Sequence, residues 1–315
     1  MQMTSEVSNI EILKSISDAT VDVISRVSPS IVSVQAGMGG GTGVIWSDDG
    51  YIVTANHVVH RARNLRIGLG DGRQVEGKVV GRNPYSDVAL LKIEGDSLKP
   101  VKLGDSEKIN VGELIIALAN PFNGRPAATS GIVTGVRNPM RGMQGMSIEN
   151  VVITDARLNP GYSGGPLIDA TGSMIGMNTA IAWHRGIAIP VNTVKAAVER
   201  LMKGGEVKRA YLGVFMAPIP VPKEVVESTK IMQERGVMVL RVEPESPARK
   251  AGVAFGDIVV RFNDKPVTDV SDLPRLLTED LIGKKTKIGV LRGEKLLELT
   301  ITPTSAKEED EEESE

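Results

Sequence analysis

Between residues 31 and 190 the chain breaks into short β-branched runs separated at close intervals by Gly, Asn, Asp and Pro. They include IVSVQA, GTGVIWSDDGYIVTA, RQVEGKVVG, SDVALLKIEG, ELIIALANP, SGIVTGVRNP, VVITD, SMIGMNTAIA and GIAIPV. Many short strands with turn residues between them predict an all-β sandwich or barrel. The pattern stops at Asn192, where NTVKAAVERLMKGG reads as a helix capped by Asn192 and closed near Gly204. Within it Val194, Ala197, Val198 and Leu201 fall at i, i+3, i+4 and i+7, which makes one buried face. A further set of strands (GVMVLRV, DIVVRFN, KKTKIGVLR, LLELTIT) alternates with short helices near SPARKAG and SDLPRLL. Ahead of the β region, residues 9–28 read as an amphipathic helix ended by Pro29.

The expected organisation is therefore an N-terminal helical segment (1–29), a β unit (30–205), an α+β unit (206–304) and an acidic tail (305–315). Lys307–Glu315 carries seven acids against one lysine and has nothing apolar to bury, so it is expected to be disordered.

Composition removes several classes of function. With no cysteine there is no thiol catalysis, disulfide scaffold or cysteine metal site. Three histidines (His57, His60, His184) make a poor basis for a histidine-rich metal centre, and neither metal nor cofactor is expected. A net charge of −2, no basic run and 3% aromatic residues argue against nucleic-acid binding. No apolar run approaches the roughly 20 residues of a membrane span; LIIALA at Leu114–Ala119 is among the longest. The N-terminus has no basic start followed by an apolar block, which favours a cytoplasmic location unless a leader has been removed.

The chemistry centres on NPGYSGGPL, residues 159–167. Gly and Pro make an ordinary turn here, or they keep the flanks of a nucleophilic serine clear for a carbonyl. Gly161-x-Ser163-x-Gly165 formally matches the nucleophile elbow of α/β-hydrolases, but that fold needs a helix directly after the serine and a late histidine. A strand pattern follows instead, and His184 is the only later histidine. A base candidate is His57, at the end of the strand YIVTA. Asp87, where a loop enters the apolar run VALLKI, can be partly buried beside an imidazole. The order His57, Asp87, Ser163 on an all-β unit is that of the chymotrypsin-like double barrel, whose oxyanion donors are the N–H of the serine and of the residue two before it, Gly161.

The blocks GGTGVIWSDDGYIVTANHVV, SDVALLKI, KLGDSEKINVGELIIALANPF, ATSGIVTGV and TDARLNPGYSGGPLIDATGSMIGMNTAIA followed by GIAIPVN together resemble the HtrA/Deg (high-temperature-requirement) serine proteases over residues 30–205. The resemblance implies Ser163 as nucleophile, His57 as general base and then acid, and Asp87 as the orienting carboxylate. Gly161 and Ser163, with Tyr162 beside them, would supply the oxyanion hole. Residues 183–189 would pair with an extended substrate, with Ile181, Gly186, Ile187, Ala188 and Ile189 at the substrate site. Three positions depart from the family pattern: TANHVV for TNAHVV, Tyr162 where asparagine is common, and Ala119 where glycine is common. In trypsin-like enzymes the acid that selects basic side chains lies about six residues before the serine. Arg157 holds that position here, so cleavage is expected after Val, Ala or Ile.

The second unit, with Tyr211-Leu212-Gly213-Val214 and the pair SPARKAG and GDIVV, resembles a PDZ domain. Such a domain takes a peptide C-terminus as an added strand. The implied protein is an ATP-independent endopeptidase acting on unfolded polypeptides, as a homotrimer or a larger assembly of trimers. The competing reading is a chaperone or scaffold with little or no peptidase activity.

Overall fold

The computed structural model describes residues 9–305 apart from 38, 61, 63, 122–124, 142–146, 183–184, 205–209, 230, 232 and 271. Of the acidic tail expected at 305–315, only Ser305 is described. The chain divides into two compact units between Val207 and Lys208.

The first unit opens with α1 (Asn9–Val27), ended by a short 3-10 turn containing Pro29. Only Val23 and Val27 of α1 are buried, while Ile10, Leu13, Ile16 and Val21 stay exposed. Six antiparallel strands then close a barrel in the order β1-β2-β3-β6-β5-β4. They are β1 (Ile31–Ala36), β2 (Gly39–Ile45), β3 (Tyr51–Ala55), β4 (Leu65–Gly68), β5 (Gln74–Asn83) and β6 (Val88–Ile93), with the one-turn α2 (Asn56–Val59) after β3. A second barrel closes in the order β10-β11-β12-β9-β8-β7. Its strands are β7 (Leu114–Ala119), β8 (Ala127–Arg141), β9 (Ser147–Thr154), β10 (Pro166–Asp169), β11 (Met174–Ala182) and β12 (Arg185–Pro190). Helix α3 (Val191–Gly204) follows and lies against β5 and β6 of the first barrel and β11 and β12 of the second. The arrangement is a chymotrypsin-like double barrel.

Strand periodicity explains why VALLKI and LIIALA are nearly unbroken apolar runs. Alternate side chains of a strand point to opposite faces, and a strand covered on both faces cannot alternate with polar residues. In β6, Ala89, Leu91 and Ile93 fill the first barrel, while Val88 and Leu90 face a separate core shared by both barrels and α3. In β7, Ile115, Ala117 and Ala119 fill the second barrel, and Ile116 and Leu118 join the shared core. Helix α3 gives that core Val194, Ala197, Val198 and Leu201, the face read from its spacing. Asn192 lies one residue inside the helix, so it is not the cap; its side-chain amide donates to Asp105 Oδ1 at 2.9 Å.

In the second unit a sheet runs β14-β15-β16-β18-β19, with β17 paired to β16 and a separate pair β13-β20. These are β13 (Ala210–Tyr211), β14 (Val214–Pro220), β15 (Arg235–Val242), β16 (Ile258–Phe262), β17 (Lys265–Pro266), β18 (Thr286–Arg292), β19 (Lys295–Ile301) and β20 (Thr304–Ser305). Short helices α4 (Lys223–Thr229), α5 (Pro247–Lys250) and α6 (Asp272–Leu276) complete it. Its core holds Val237, Val259, Phe262, Leu273 and Val290, and β14 is an edge strand. Among the described residues no helix is long and apolar enough to cross a membrane.

The shared core predicts a contrast measurable by urea unfolding of the first unit, followed by tryptophan fluorescence. Leu118→Ala, at a fully buried site, costs about 2–5 kcal/mol. Val111→Ala, 62% exposed, stays within about 0.5 kcal/mol of wild type. Equal effects would contradict the packing.

Candidate active site

The site lies on the seam between the two barrels. Asp87 ends the loop between β5 and β6 in left-handed backbone, φ 51°. A short polar side chain that bonds locally tolerates this conformation. Asp87 is fully buried, and an isolated carboxylate there would be costly unless hydrogen-bonded. Three donors meet its two oxygens. The His57 backbone N–H donates to Oδ1 at 2.9 Å. The His57 ring is 2.8 Å from Oδ2 through Nδ1, and the Thr179 hydroxyl donates to the same oxygen. The Asp87 carbonyl also accepts the Asn56 N–H at 3.0 Å, so the start of α2 is fastened to the aspartate.

His57 stands on α2 with its side chain 45% exposed. With Nδ1–H donated to Asp87, the neutral ring presents Nε2 as its free acceptor. The hydrogen bond to Asp87 raises the imidazole pKa above its ordinary 6.5; partial burial opposes this and the carboxylate charge adds to it.

Ser163 comes from the second barrel, in the turn before β10. Its Oγ donates to the Thr179 carbonyl at 3.2 Å. Thr179 of β11 therefore touches both Asp87 and Ser163, joining groups that are 76 residues apart in sequence through one side chain and one carbonyl. The turn is held by Gly165 N–H donating to the Tyr162 carbonyl at 2.9 Å and Gly164 N–H to the Asn178 carbonyl at 2.8 Å. Tyr162 N–H is engaged by the Asn159 carbonyl at 3.1 Å, whereas the N–H groups of Gly161 and Ser163 meet no acceptor among the described residues. Gly161 has φ 93°, a backbone that only glycine adopts easily. The Tyr162 ring is packed in the second-barrel core, and burial pushes its hydroxyl pKa up.

Thr42 of β2 completes the seam. Its N–H donates to the Ser163 carbonyl at 2.9 Å and its hydroxyl to the Gly161 carbonyl at 2.7 Å. The carbonyl of Thr42 accepts the Thr54 hydroxyl at 2.7 Å. Sequence reasoning missed both Thr42 and Thr179. The available signal is a polar residue inside an otherwise apolar strand, as in GTGVI and MNTAIA.

The expected substrate segment lies only partly within the described residues. Trp183 and His184 lie outside the described residues, as does the side chain of Ile181. Gly186, Ile187 and Ala188 of β12 pair with β11 on one edge and with Thr154, Ile153 and Val152 of β9 on the other, and Ile189 pairs with Met177. Both edges of β12 are thus occupied over 186–188. The open edge belongs to β11, because β10 covers only Met174–Met177 and no strand among the described residues pairs with Thr179–Ala182 on that side. Arg157 is exposed.

In the second unit, Tyr211-Leu212-Gly213-Val214 runs from β13 into edge strand β14. The Leu212 and Gly213 carbonyls accept N–H groups of Ala248 and Glu243, each at 2.9 Å. Their own N–H groups meet no acceptor among the described residues. The Tyr211 hydroxyl donates to the Glu243 carboxylate.

Comparison with known proteins gives two family matches: a trypsin-like peptidase domain over residues 41–177 and a PDZ domain over 225–302. The periplasmic serine endoprotease DegP of Escherichia coli is 36% identical, covering 87% of this chain and 60% of DegP. Protease Do-like 1, chloroplastic, of Arabidopsis thaliana is 34% identical, covering 90% of this chain and 71% of that protein. The solved structure of HtrA-type protease AlgW with tripeptide superposes with a TM-score of 0.75 at 30% identity, covering 91% of this chain and 97% of AlgW. The chain spans less than two thirds of the length of DegP. The cytoplasmic expectation is corrected by these relatives: the bacterial ones are named as periplasmic, which points outside the cytoplasm. That expectation rested on the N-terminal residues alone, and a removed leader leaves no mark on the rest of a chain.

The geometry predicts a His57 titration midpoint above 6.5 by NMR of the ring carbons, since a raised pKa keeps the proton on to higher pH. Asp87→Asn removes the charge and moves the midpoint down. A wild-type midpoint at or below 6.5, or one unmoved by Asp87→Asn, would contradict the assigned pairing.

Proposed function

Because the chain belongs to the HtrA/Deg family of serine proteases, we propose that it is an ATP-independent serine endopeptidase of protein quality control. The observation that carries this reading is the unbroken bond path from the His57 ring through Asp87 and Thr179 to the Ser163 hydroxyl. A chaperone or scaffold on the same fold needs no such path.

In this reading the Ser163 hydroxyl leaves the Thr179 carbonyl as substrate enters and turns to His57 Nε2. The imidazole takes the proton while Oγ attacks the scissile carbonyl carbon. Negative charge on the carbonyl oxygen is met by the N–H groups of Gly161 and Ser163. The tetrahedral intermediate collapses, the C–N bond breaks, and the leaving amine takes the proton from His57. Water then repeats the sequence on the acyl-enzyme and frees Ser163. Asp87 holds the ring in the tautomer that makes this order work.

The substrate is an unfolded or misfolded polypeptide lying as an extended strand along the open edge of β11 at 179–182. An exposed Arg157, in place of an acid, supports small or medium aliphatic residues before the cleaved bond. The N–H groups of Leu212 and Gly213, without an acceptor among the described residues, support capture of a peptide C-terminal carboxylate, with the peptide adding to β14. The apolar residues exposed on α1 support self-association into trimers, which would cover them.

Casein digestion by wild type beside Ser163→Ala tests the reading. Wild type is expected to degrade casein after aliphatic residues, Ser163→Ala is inert, and Asp87→Asn loses on the order of 10⁴ in turnover while staying folded. Equal digestion by wild type and Ser163→Ala would overturn the nucleophile, and cleavage mainly after Lys or Arg would overturn the specificity.

A further inference from the structure

We propose that Thr42 is a positioning residue that presets the oxyanion pocket from the opposite barrel; the inference rests on the endopeptidase reading above. Thr42 is fully buried, and its hydroxyl both donates and accepts. The Asn120 N–H donates to Oγ1 at 2.9 Å and Oγ1 donates to the Gly161 carbonyl at 2.7 Å. With Asn120 occupying a lone pair, the hydroxyl hydrogen is committed to Gly161. The Thr42 N–H holds the Ser163 carbonyl at 2.9 Å. One residue thus grips the carbonyls of Gly161 and Ser163, the two residues whose N–H groups meet no acceptor among the described residues and can receive the oxyanion.

The peptide plane between Gly161 and Tyr162 is consequently held at both ends, its carbonyl by Thr42 and its N–H by the Asn159 carbonyl at 3.1 Å. Gly161 is where this turn is softest, because a glycine at φ 93° has other backbone conformations within reach. Its N–H belongs to the Pro160–Gly161 peptide on the other side of the Cα, so fixing the carbonyl leaves fewer rotations of Gly161 that swing that N–H out of the pocket before substrate arrives. The clamp also sets the donors in register with His57 and Asp87, since β2 and β3 belong to one barrel. Electrostatic stabilisation depends on donors that need no reorganisation during the reaction.

Thr42→Val keeps the shape and the backbone bond to Ser163 but strips the hydroxyl from Gly161 and Asn120. Turnover on a peptide substrate is expected to fall about 10- to 100-fold with KM changed less than about twofold, because ground-state contacts do not use the pocket. A substrate-derived peptide boronate, whose tetrahedral oxygen occupies the pocket, is expected to lose affinity by the same factor. Thr42→Ser retains the hydroxyl and is expected to recover most of the turnover. If the valine variant does not fold, Thr42→Cys replaces it, being close to serine in size but a poor hydrogen-bonder. Turnover near wild type in the valine or cysteine variant, a rise in KM alone, or a serine variant as slow as valine would overturn the proposal. If wild type is active and the valine variant equals it, only the role of Thr42 falls. If wild type is no faster than Ser163→Ala, the endopeptidase reading falls and the role of Thr42 with it.

Discussion

The site depends on close contact between two barrels that share a core, and at the Ser163 turn that contact runs through backbone. At Gly164 an added Cβ would lie 2.1 Å from the Thr42 carbonyl oxygen and 2.3 Å from Thr54 Oγ1, closer than any side chain permits. Its φ of 84° adds a second reason for glycine. Because the Ser163 turn can press against β2 and β3 here, Thr42 reaches the carbonyls of Gly161 and Ser163, and Ser163 is linked through Thr179 to Asp87 and His57. The glycines around Ser163 therefore serve the fit of one barrel to the other as much as the approach of a substrate.

The polar half of the site follows from burying one carboxylate. Asp87 has no exposure, and its three donors include the His57 ring, the base of the proposed mechanism, and the Thr179 hydroxyl. Satisfying the buried charge and orienting the His57 ring are thus one arrangement, which in the proposed mechanism couples stability to function at this point. His57 itself stays partly open on its other side, where the proposed mechanism has a proton come and go.

Much of this was legible in the sequence because local pattern and fold agree. Short β-branched runs announced the strands, α3 showed its buried face by spacing, and His57, Asp87 and Ser163 stood in motifs whose order matches a double barrel. What escaped was set by register and burial. Whether β11 or β12 offers an open edge depends on how far β10 extends, which no local pattern encodes. Thr42 and Thr179 look like ordinary strand residues until their partners, 119 and 92 positions away, are placed beside them. Asn192 looked like a helix cap because its neighbour Asp105, which claims its amide, is remote in sequence. On α1 the periodicity was plain, but only its last turns find a core among the described residues.

The central claim is that a serine from one barrel is activated by a histidine from the other. Mass spectrometry after exposure to a fluorophosphonate tests it most directly. The account predicts one adduct per chain, on Ser163, formed far more slowly after His57→Ala. An adduct on another residue, none at all, or a rate indifferent to His57 would contradict it.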